Sequence, residues 1–360
     1  MSRHRPPQRP IRLGLIGCGG IVKGTHLPCY QALQGLVQVV ALADPVPANR
    51  DQVGNALGVP PDQRYAHHSE LLEKAAVDAV TIATPHSMHA GQVIEAAQAG
   101  VAIVCEKPAA TCMEEAHAMR EAVRKHGVPY SVVHNLLHTL PMQAAQAILR
   151  AGELGEPYFG RGVSLFHKGP PASQTAQTWR NTKAAGGGSL ADTAYHEIYS
   201  GEALMGSPVR HVEARVTTLF FSIEVDDVAL LVLEHENGAL STVSTSWCVP
   251  VVPGEGGRWC EVHAPNGSLR AVHKAQGPLL RFAVGEGWRP VELPGLAHLK
   301  PSSPRHAGHV AYFEAVFEAL AGGSQTPTTI DTACHTLAIV EAARRASGER
   351  RAVDVRELEA

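Results

Sequence analysis

The sequence predicts an α/β protein: a doubly wound parallel sheet of Rossmann type, then an α+β domain with a large open, mainly antiparallel sheet. Three observations carry this prediction. Apolar strands alternate with helices over residues 11–133, a glycine turn directly follows the first strand, and hairpin turns dominate the chain after Val209. We place the second domain at residues 134–360 and expect the proline-rich residues 1–10 to be a disordered arm.

The strands of the first domain are nearly continuous apolar runs, which are typical of parallel strands buried on both faces. We predict them at Ile11–Ile16, Val37–Ala43, Ala79–Ala83, Val101–Cys105 and Tyr130–His134. The helical patterns between them lie at Glu70–Ala76, with Ser69 as its cap, at Ala90–Ala99 and at Met113–His126. Because Pro28 falls where the first helix should continue, we expect that helix to split or restart there.

The second domain starts with a helix and a strand and then changes its pattern. We predict a helix at Pro141–Ala151, a strand at Tyr158–Phe166, a polar loop up to Gly188 and a helix at Ser189–Met205. Strands then follow one another up to Leu293, with hairpin turns at Asn237-Gly238 and Asn266-Gly267 and a weaker one at Gly285-Glu286-Gly287. Two further helices are predicted at His309–Ala321 and Thr332–Ser347.

Charge and composition exclude several classes of function. The 360 residues carry a net charge of −3, with 31 Lys and Arg against 34 Asp and Glu, so we expect no nucleic-acid partner. No run of about 18 apolar residues occurs, so we predict no membrane span. Seven scattered cysteines without CxxC spacing favour reduced thiols and a cytoplasmic location.

A glycine turn, Gly17-Cys18-Gly19-Gly20-Ile21, stands between the first strand and a helical pattern. Such turns bring backbone N–H groups up to the pyrophosphate of a dinucleotide, although Val22 stands where a third small residue is usual. Asp44 ends the second strand, where a carboxylate accepts hydrogen bonds from the ribose and repels a 2′-phosphate, which favours NAD over NADP. The alternative is an incidental glycine turn with Asp44 as a turn former.

Glu106-Lys107-Pro108 follows the predicted strand Val101–Cys105, at the sheet edge where open α/β folds hold their ligands. An ammonium group beside a reacting hydroxyl stabilises developing negative charge and orients the substrate. Glu106 would hold that ammonium in place or bind the ribose. The alternative is that Lys107 is an ordinary solvated loop residue.

Three glycines, Gly186–Gly188, lead into a predicted helix on which Asp192 and His196 lie four residues apart and share a face. A carboxylate can fix the tautomer of an imidazole and raise its basicity, as a proton acceptor near neutral pH requires. The alternative is an acid at a helix N-terminus followed by a buried histidine.

Together with the Thr84-Pro85 step and Asn135, which follow the third and fifth predicted strands, these motifs resemble the Gfo/Idh/MocA oxidoreductase family from Ile11 to about Val355. The resemblance implies a bound NAD or NADP that exchanges hydride with a carbon of a sugar, cyclitol or similar polyol. It also implies a homodimer or homotetramer formed through the open C-terminal sheet.

The same resemblance implies a catalytic trio of Lys107, Asp192 and His196. His196 would be the general base, Asp192 would orient it, and Lys107 would polarise the substrate oxygen. Two alternatives share these motifs. One is an enzyme that keeps NAD bound and uses transient oxidation for elimination or glycoside cleavage; the other is a catalytically silent, dinucleotide-binding regulator.

Two further pairs are candidates for contact with the cofactor. His86 and His89 form an H-x-x-H pair that the resemblance puts near the nicotinamide, with loop capping as the alternative. No third or fourth ligand stands at a diagnostic spacing, so we predict no metal. Trp179-Arg180 would fold over the cofactor as a lid or form an exposed loop pair.

The sequence departs from the family pattern at positions that tend to face the substrate. Ala194 replaces a glycine, Tyr199 replaces an acid, and residues 135–138 lack the usual arginine or aromatic side chain. These departures point to a substrate other than an ordinary hexose or inositol, and Tyr195 and Tyr199 suggest a more apolar pocket wall.

Overall fold

The computed structural model describes residues 10–170, 178–250, 257–273, 278–283, 287–291 and 307–359. The predicted N-terminal arm up to residue 9, and positions 285 and 286 of the weaker hairpin turn, lie outside the described residues. Two compact units divide the chain. The first ends at Asn135 and also takes in His309–Cys334, and the second comprises the chain from Leu136 to Gly308 and from His335 onward.

The first unit contains a six-stranded sheet in the order β3-β2-β1-β4-β5-β6, and each neighbouring pair of strands is parallel. The strands are β1 (Ile11–Ile16), β2 (Val37–Ala43), β3 (Arg64–Tyr65), β4 (Ala79–Ile82), β5 (Ala102–Cys105) and β6 (Tyr130–Val132). The strand order changes direction between β1 and β4, and open α/β sheets bind ligands at the carboxyl ends of such a pair. The predicted doubly wound fold is confirmed.

Helices surround this sheet, and those predicted at Glu70–Ala76, Ala90–Ala99 and Met113–His126 lie within two residues of their predicted bounds. They are α1 (Leu27–Ala32), α2 (Pro47–Leu57), α3 (His68–Lys74), α4 (His89–Gln98) and α5 (Met113–His126). A π-helical turn, Val22–His26, precedes α1, so the helix does restart at Pro28 as predicted. The prediction of Ser69 as a helix cap was wrong, because α3 already begins at His68 and His67 holds the cap position without a side-chain hydrogen bond.

Helix α8 (Ala307–Gly322) accounts for the main difference from the predicted domain division, which assigned it to the second domain. Phe313 and Phe317 of this helix belong to the same buried cluster as Leu13 of β1 and Tyr30 of α1. The hydroxyl of Tyr312 donates to the carbonyl of Val132 at 2.9 Å. The first unit therefore recruits a helix from late in the chain to cover its sheet.

The second unit contains a nine-stranded sheet in the order β14-β13-β12-β11-β7-β10-β9-β8-β15. Its strands are β7 (Phe159–Leu165), β8 (Val209–Thr217), β9 (Val228–His235), β10 (Leu240–Ser246), β11 (Arg258–Ala264), β12 (Gly267–Val272), β13 (Leu279–Ala283), β14 (Gly287–Pro290) and β15 (Val353–Asp354). β7 and β10 pair in parallel and the other neighbours are antiparallel, which confirms the predicted mainly antiparallel sheet.

Helices of the second unit pack on this sheet. They are α6 (Leu140–Arg150), α7 (Tyr195–Met205), the part of α9 (Ile330–Glu349) from His335 onward and α10 (Arg356–Glu359). A Cβ atom at Gly160 of β7 would lie 2.7 Å from the Met205 sulfur, and one at Gly162 would lie 3.0 Å from Cβ of Glu197. These glycines therefore let α7 approach β7 closely.

Two further findings bear on the class of protein. Within the described ranges, no helix is long and apolar enough to cross a membrane. All seven cysteines are free thiols.

Candidate active site

The glycine turn of the first unit borders an open cavity of about 390 Å³. Gly17 has φ +94°, and a Cβ there would lie 2.6 Å from the carbonyl oxygen of Ala83, so both the turn and its closeness to β4 require glycine. A Cβ at Gly19 would meet no atom within 4 Å, because Gly19 faces the open space. The turn thus leaves the room that a pyrophosphate against helix N–H groups needs.

Five of the predicted cofactor residues of the first unit share this cavity. Its lining includes Gly17, Gly19, Asp44, Thr84 and Pro85, together with the polar or sulfur-containing side chains of His67, His68, Met88 and Gln92. Gln92 accepts a 2.6 Å hydrogen bond from the hydroxyl of Thr84, which fixes one wall. The residues present fit a dinucleotide, and the one carboxylate among the lining residues is that of Asp44.

Asp44 has a second role that the sequence did not reveal. Its Oδ2 accepts a 2.7 Å hydrogen bond from the backbone N–H of Cys18, and its Oδ1 accepts one of 2.9 Å from Val46. Arg50 donates to its backbone carbonyl at 2.6 Å. The carboxylate therefore closes the glycine turn and is held as a fixed negative charge at the cavity wall.

Glu106 is buried and paired with His26, a residue that sequence reasoning missed. Its Oε1 lies 2.7 Å from Nε2 of His26, and its Oε2 accepts the backbone N–H of Lys107 at 3.2 Å. Burial opposes ionisation of Glu106, but the hydrogen bond and charge of His26, with His309 and Lys107, outweigh it and lower the pKa to about 2. Glu106 is therefore ionised, and it orients the backbone at Lys107.

His89 is positioned for loop capping. It is fully buried, and its two ring nitrogens each lie 2.9 Å from a carbonyl oxygen, those of Thr84 and Pro108. Burial lowers the pKa of its imidazole, against the effect of these two hydrogen bonds. The ring joins the Thr84-Pro85 step to the Glu106-Lys107-Pro108 segment, which favours the loop-capping alternative.

The other two polar candidates of this region are also buried. His86 lies 5.8 Å, ring centre to ring centre, from His89. Asn135 lies with its Nδ2 3.3 Å from Nδ1 of the half-buried His309. Among the residues that the structure describes, no group of three or more His, Cys, Asp and Glu is placed to hold a metal ion.

In the second unit, a π-helical turn at Ser189–Ala194 carries Asp192 into α7. Asp226 holds the start of this turn, because its carboxylate accepts 2.7 Å hydrogen bonds from the hydroxyl of Ser189 and the N–H of Leu190. The indole N–H of the fully buried Trp247 donates to the hydroxyl of Thr193 at 2.8 Å. The prediction of one helix over Ser189–Met205 holds for its second half only, since its first turn is wider than an α-helix.

A buried ion pair anchors the helix next to His196. Glu197 is fully buried, and its Oε1 accepts a 2.6 Å hydrogen bond from Nε of Arg258 on β11. The same guanidinium donates to the carbonyl of Thr193 at 3.1 Å. A buried charge pair of this kind fixes geometry, because loss of either partner leaves an unpaired charge in the interior.

Asp192 and His196 each have a close partner that was not predicted. Asp192 lies 3.5 Å from Nε of Arg180, whose guanidinium stacks 4.2 Å above the ring of Trp179. Nδ1 of His196 lies 2.6 Å from the hydroxyl of Tyr199. The second unit therefore brings Trp179, Arg180 and Asp192 together and pairs His196 with Tyr199. Lys107 belongs to the first unit, so its convergence with Asp192 and His196 stays a prediction.

Both halves of the chain match models of known protein families. Residues 11–134 match the model "Oxidoreductase family, NAD-binding Rossmann fold", and residues 142–270 match the "GFO/IDH/MocA C-terminal domain". The chain belongs to the Gfo/Idh/MocA oxidoreductase family. The resemblance stated from Gly17, Lys107 and His196 is confirmed, as are an oxidoreductase and its NAD-binding domain.

Curated relatives of this Gfo/Idh/MocA protein are sugar and cyclitol dehydrogenases. A D-apiose dehydrogenase of Paraburkholderia graminis is 29% identical over 359 residues, which cover 96% of this chain and 90% of the relative. An NAD-dependent scyllo-inositol 2-dehydrogenase of Bacillus subtilis is 29% identical over 248 residues, 68% of this chain and 69% of the relative.

Solved structures agree over nearly the whole chain. The WlbA dehydrogenase of Bordetella pertussis, in complex with NADH and UDP-GlcNAcA, superposes with a TM-score of 0.83 at 25% identity and covers 97% of this chain and 99% of its own. The comparisons therefore establish the fold, the NAD-binding domain and the oxidoreductase class of this chain.

Proposed function

We propose that this protein is an NAD-dependent dehydrogenase that transfers hydride between the nicotinamide and a secondary alcohol or ketone of a small polyol. The observation that carries the proposal is the glycine-lined cavity with the fixed carboxylate of Asp44, in a chain that keeps Lys107, Asp192 and His196. The relatives' names support a sugar, cyclitol or related polyol as the substrate class.

NAD, when bound, supplies the hydride acceptor for the oxidation of an alcohol. The backbone at Gly19 and Gly20 would face the pyrophosphate, and Asp44 would accept hydrogen bonds from the ribose hydroxyls. Asp44 also disfavours a 2′-phosphate, because its charge is fixed by Cys18 and Val46 at the cavity wall. These contacts favour NAD over NADP.

The chain's own residues would supply the proton chemistry. His196 accepts the proton of the substrate hydroxyl at Nε2, because its Nδ1 faces Tyr199. Lys107 stabilises negative charge that develops on the same oxygen. Asp192 would orient the imidazole of His196. The carboxylate of Asp192 is itself paired with Arg180.

The open face of the C-terminal sheet supports a homo-oligomer. Leu230 and Val232 on β9 and Leu240 on β10 alternate with inward side chains and are about half exposed. Exposed apolar patches of this kind mark interaction surfaces. We place the protein in the cytoplasm as a homodimer or homotetramer, on the basis of this surface and the seven free thiols.

A panel of sugars, cyclitols, glycosides and sugar acids tests the proposal. The protein is mixed with NAD and each compound, and both the nicotinamide absorbance and the organic product are followed. The proposal predicts one NADH for each molecule of ketone product. Product without net NADH formation would instead indicate transient oxidation, and no turnover together with tight NAD binding would indicate a regulator.

Lys107→Ala separates catalysis from binding in the same assay, with Lys74→Ala as the matched control. Lys74 is exposed and pairs with Glu70 on α3, so its loss should leave turnover unchanged. We expect Lys107→Ala to abolish most of the NADH formation while NAD still binds. Full activity of Lys107→Ala would contradict the proposed function.

A further inference from the structure

Tyr199 stands one helical turn after His196, and its hydroxyl lies 2.6 Å from Nδ1 of that ring. The two rings meet edge to face with centres 5.5 Å apart. A polar contact and a packing contact thus hold the imidazole in one orientation. The Tyr199 hydroxyl contacts Nδ1 of the ring and not Nε2.

The phenol itself is held from a second direction. The backbone N–H of Leu136 donates to the Tyr199 hydroxyl at 3.3 Å, and the side chain is almost fully buried. Burial raises the pKa of Tyr199 well above its ordinary value, so the hydroxyl keeps its proton. A phenol oxygen has two lone pairs, so it can accept from Leu136 and from a protonated Nδ1 at the same time.

The charged groups near Tyr199 and His196 have partners of opposite charge. Arg258 on β11, which lowers the pKa of the phenol, is paired with Glu197. Tyr195, in edge contact with Tyr199, is a neutral phenol neighbour, and Asp192 is paired with Arg180. Tyr199 holds Nδ1 of the His196 imidazole through its hydroxyl.

We propose that Tyr199 is a positioning residue that holds Nδ1 of His196, so that Nε2 exchanges the proton with the substrate. This inference rests on the proposed function for its catalytic consequence, but the hydrogen bond can be tested without turnover. A hydrogen bond to the charged ring is stronger than one to the neutral ring, so Tyr199 stabilises the imidazolium. Removal of the hydroxyl should therefore make His196 a weaker base.

The kinetic test compares Tyr199→Phe with Tyr158→Phe, which removes the hydroxyl of an exposed tyrosine outside the site. We expect Tyr199→Phe to lower kcat about tenfold with little change in KM and to move the acidic limb of the pH profile down by about 0.5–1 unit. Tyr158→Phe should keep both the rate and the profile. An unchanged pH profile in an active Tyr199→Phe enzyme would overturn the proposal.

Nitrogen-15 NMR of the histidine rings gives the second readout, with His196 assigned by its loss in His196→Gln. We expect His196 to titrate at lower pH in Tyr199→Phe than in the wild type, and equal titration would overturn the proposal even if no substrate has been found. If Tyr199→Phe does not fold, proton exchange in the wild type tests the hydrogen bond instead. Its protonated ring should show a slowly exchanging Nδ1 proton, and rapid exchange there would contradict the hydrogen bond.

Discussion

At the scale of single residues, the role in cofactor selection that we propose for Asp44 is combined with a structural role. Its carboxylate accepts hydrogen bonds from the backbone N–H groups of Cys18 and Val46. A substitution there changes both the charge that faces the ribose and the hydrogen bonds that close the glycine turn. The two effects differ in their readout, because only the first one discriminates between NAD and NADP.

Asp44→Ala should therefore relax the preference for NAD and also weaken NAD binding. We expect the ratio of kcat/KM for NADP to that for NAD to rise by about tenfold or more, since an anionic neighbour of the 2′-phosphate is removed. Asp51→Ala, on the exposed side of α2, removes the same charge outside the cavity lining and is the control. Equal discrimination in wild type and Asp44→Ala would refute this assignment.

The role of His196 is tested by His196→Gln, which keeps a polar side chain of similar size. We expect kcat to fall by about 10²–10⁴, the range for a positioned general base, with a small change in KM. His211→Gln, at a half-exposed position on β8, should leave the rate unchanged. A fall of less than tenfold in His196→Gln would show that another group takes the proton.

Prediction at the residue scale is most direct where a local motif carries the chemistry. The glycine turn is read from neighbours in sequence, and the structure gives it an open cavity lined by Gly17, Gly19 and Asp44. The partnership of Glu106 with His26 spans 80 residues and has no local pattern. Tyr199 departs from the family pattern, but its spacing from His196 does not specify that its hydroxyl lies at Nδ1 of that ring.

At the scale of elements, α7 shows why helix position is harder to predict than helix existence. The apolar pattern predicts a helix from Ser189, but Asp226, which precedes β9, and Trp247, which follows β10, contact its first turn, and that turn is π-helical. These partners lie 36 and 54 residues away. The sequence therefore predicts the helix but not the turn that places Asp192.

His335 of α9 links two other elements of the second unit and makes their packing depend on pH. Its ring nitrogens lie 2.8 Å from Glu202 on α7 and 2.5 Å from Glu359 on α10. Burial opposes the charge of the ring, but the two carboxylates outweigh it and raise the pKa of His335 to about 10. The contacts of charged His335 with Glu202 and Glu359 thus stabilise the fold fully below pH 6.5. This stabilisation is lost as the pH rises through about 10 and the ring loses its proton.

His335→Gln should lower the melting temperature by about 5 °C or more at pH 6, because charged hydrogen bonds are lost. The difference from wild type should shrink as the pH approaches 10, where the wild-type ring loses its proton. His68→Gln, which breaks the partly exposed pair with Glu95, is the control and should change the melting temperature much less. A difference that does not depend on pH would contradict a charged His335.

At the scale of the whole molecule, the proposed oligomer depends on the open face of the second sheet. Val232→Glu places a charge in the apolar patch with Leu230 and Leu240, so we expect the mass in solution to fall to 38.2 kDa. Leu219→Glu changes an exposed residue outside the strands and should keep the wild-type mass. A multi-angle light-scattering measurement that finds no change for Val232→Glu would rule out this face as the interface.

The sequence predicts the two-sheet architecture well, because strand type and hairpin turns are local signals. The Asn237-Gly238 and Asn266-Gly267 turns do join antiparallel neighbours, β9 with β10 and β11 with β12. The placement of α8 was missed, since an apolar helix does not specify which sheet it covers. Phe313 and Phe317 find their partners in the first unit, almost 300 residues earlier in the chain.

We propose that Lys107 from one unit and His196 from the other act on the same substrate oxygen. A crystal structure with NADH and a polyol substrate tests it most directly. We predict that Nζ of Lys107 and Nε2 of His196 both lie within about 3.2 Å of one hydroxyl of the polyol. A complex in which these two atoms contact different parts of the ligand, or in which one of them does not reach it, would contradict the mechanism.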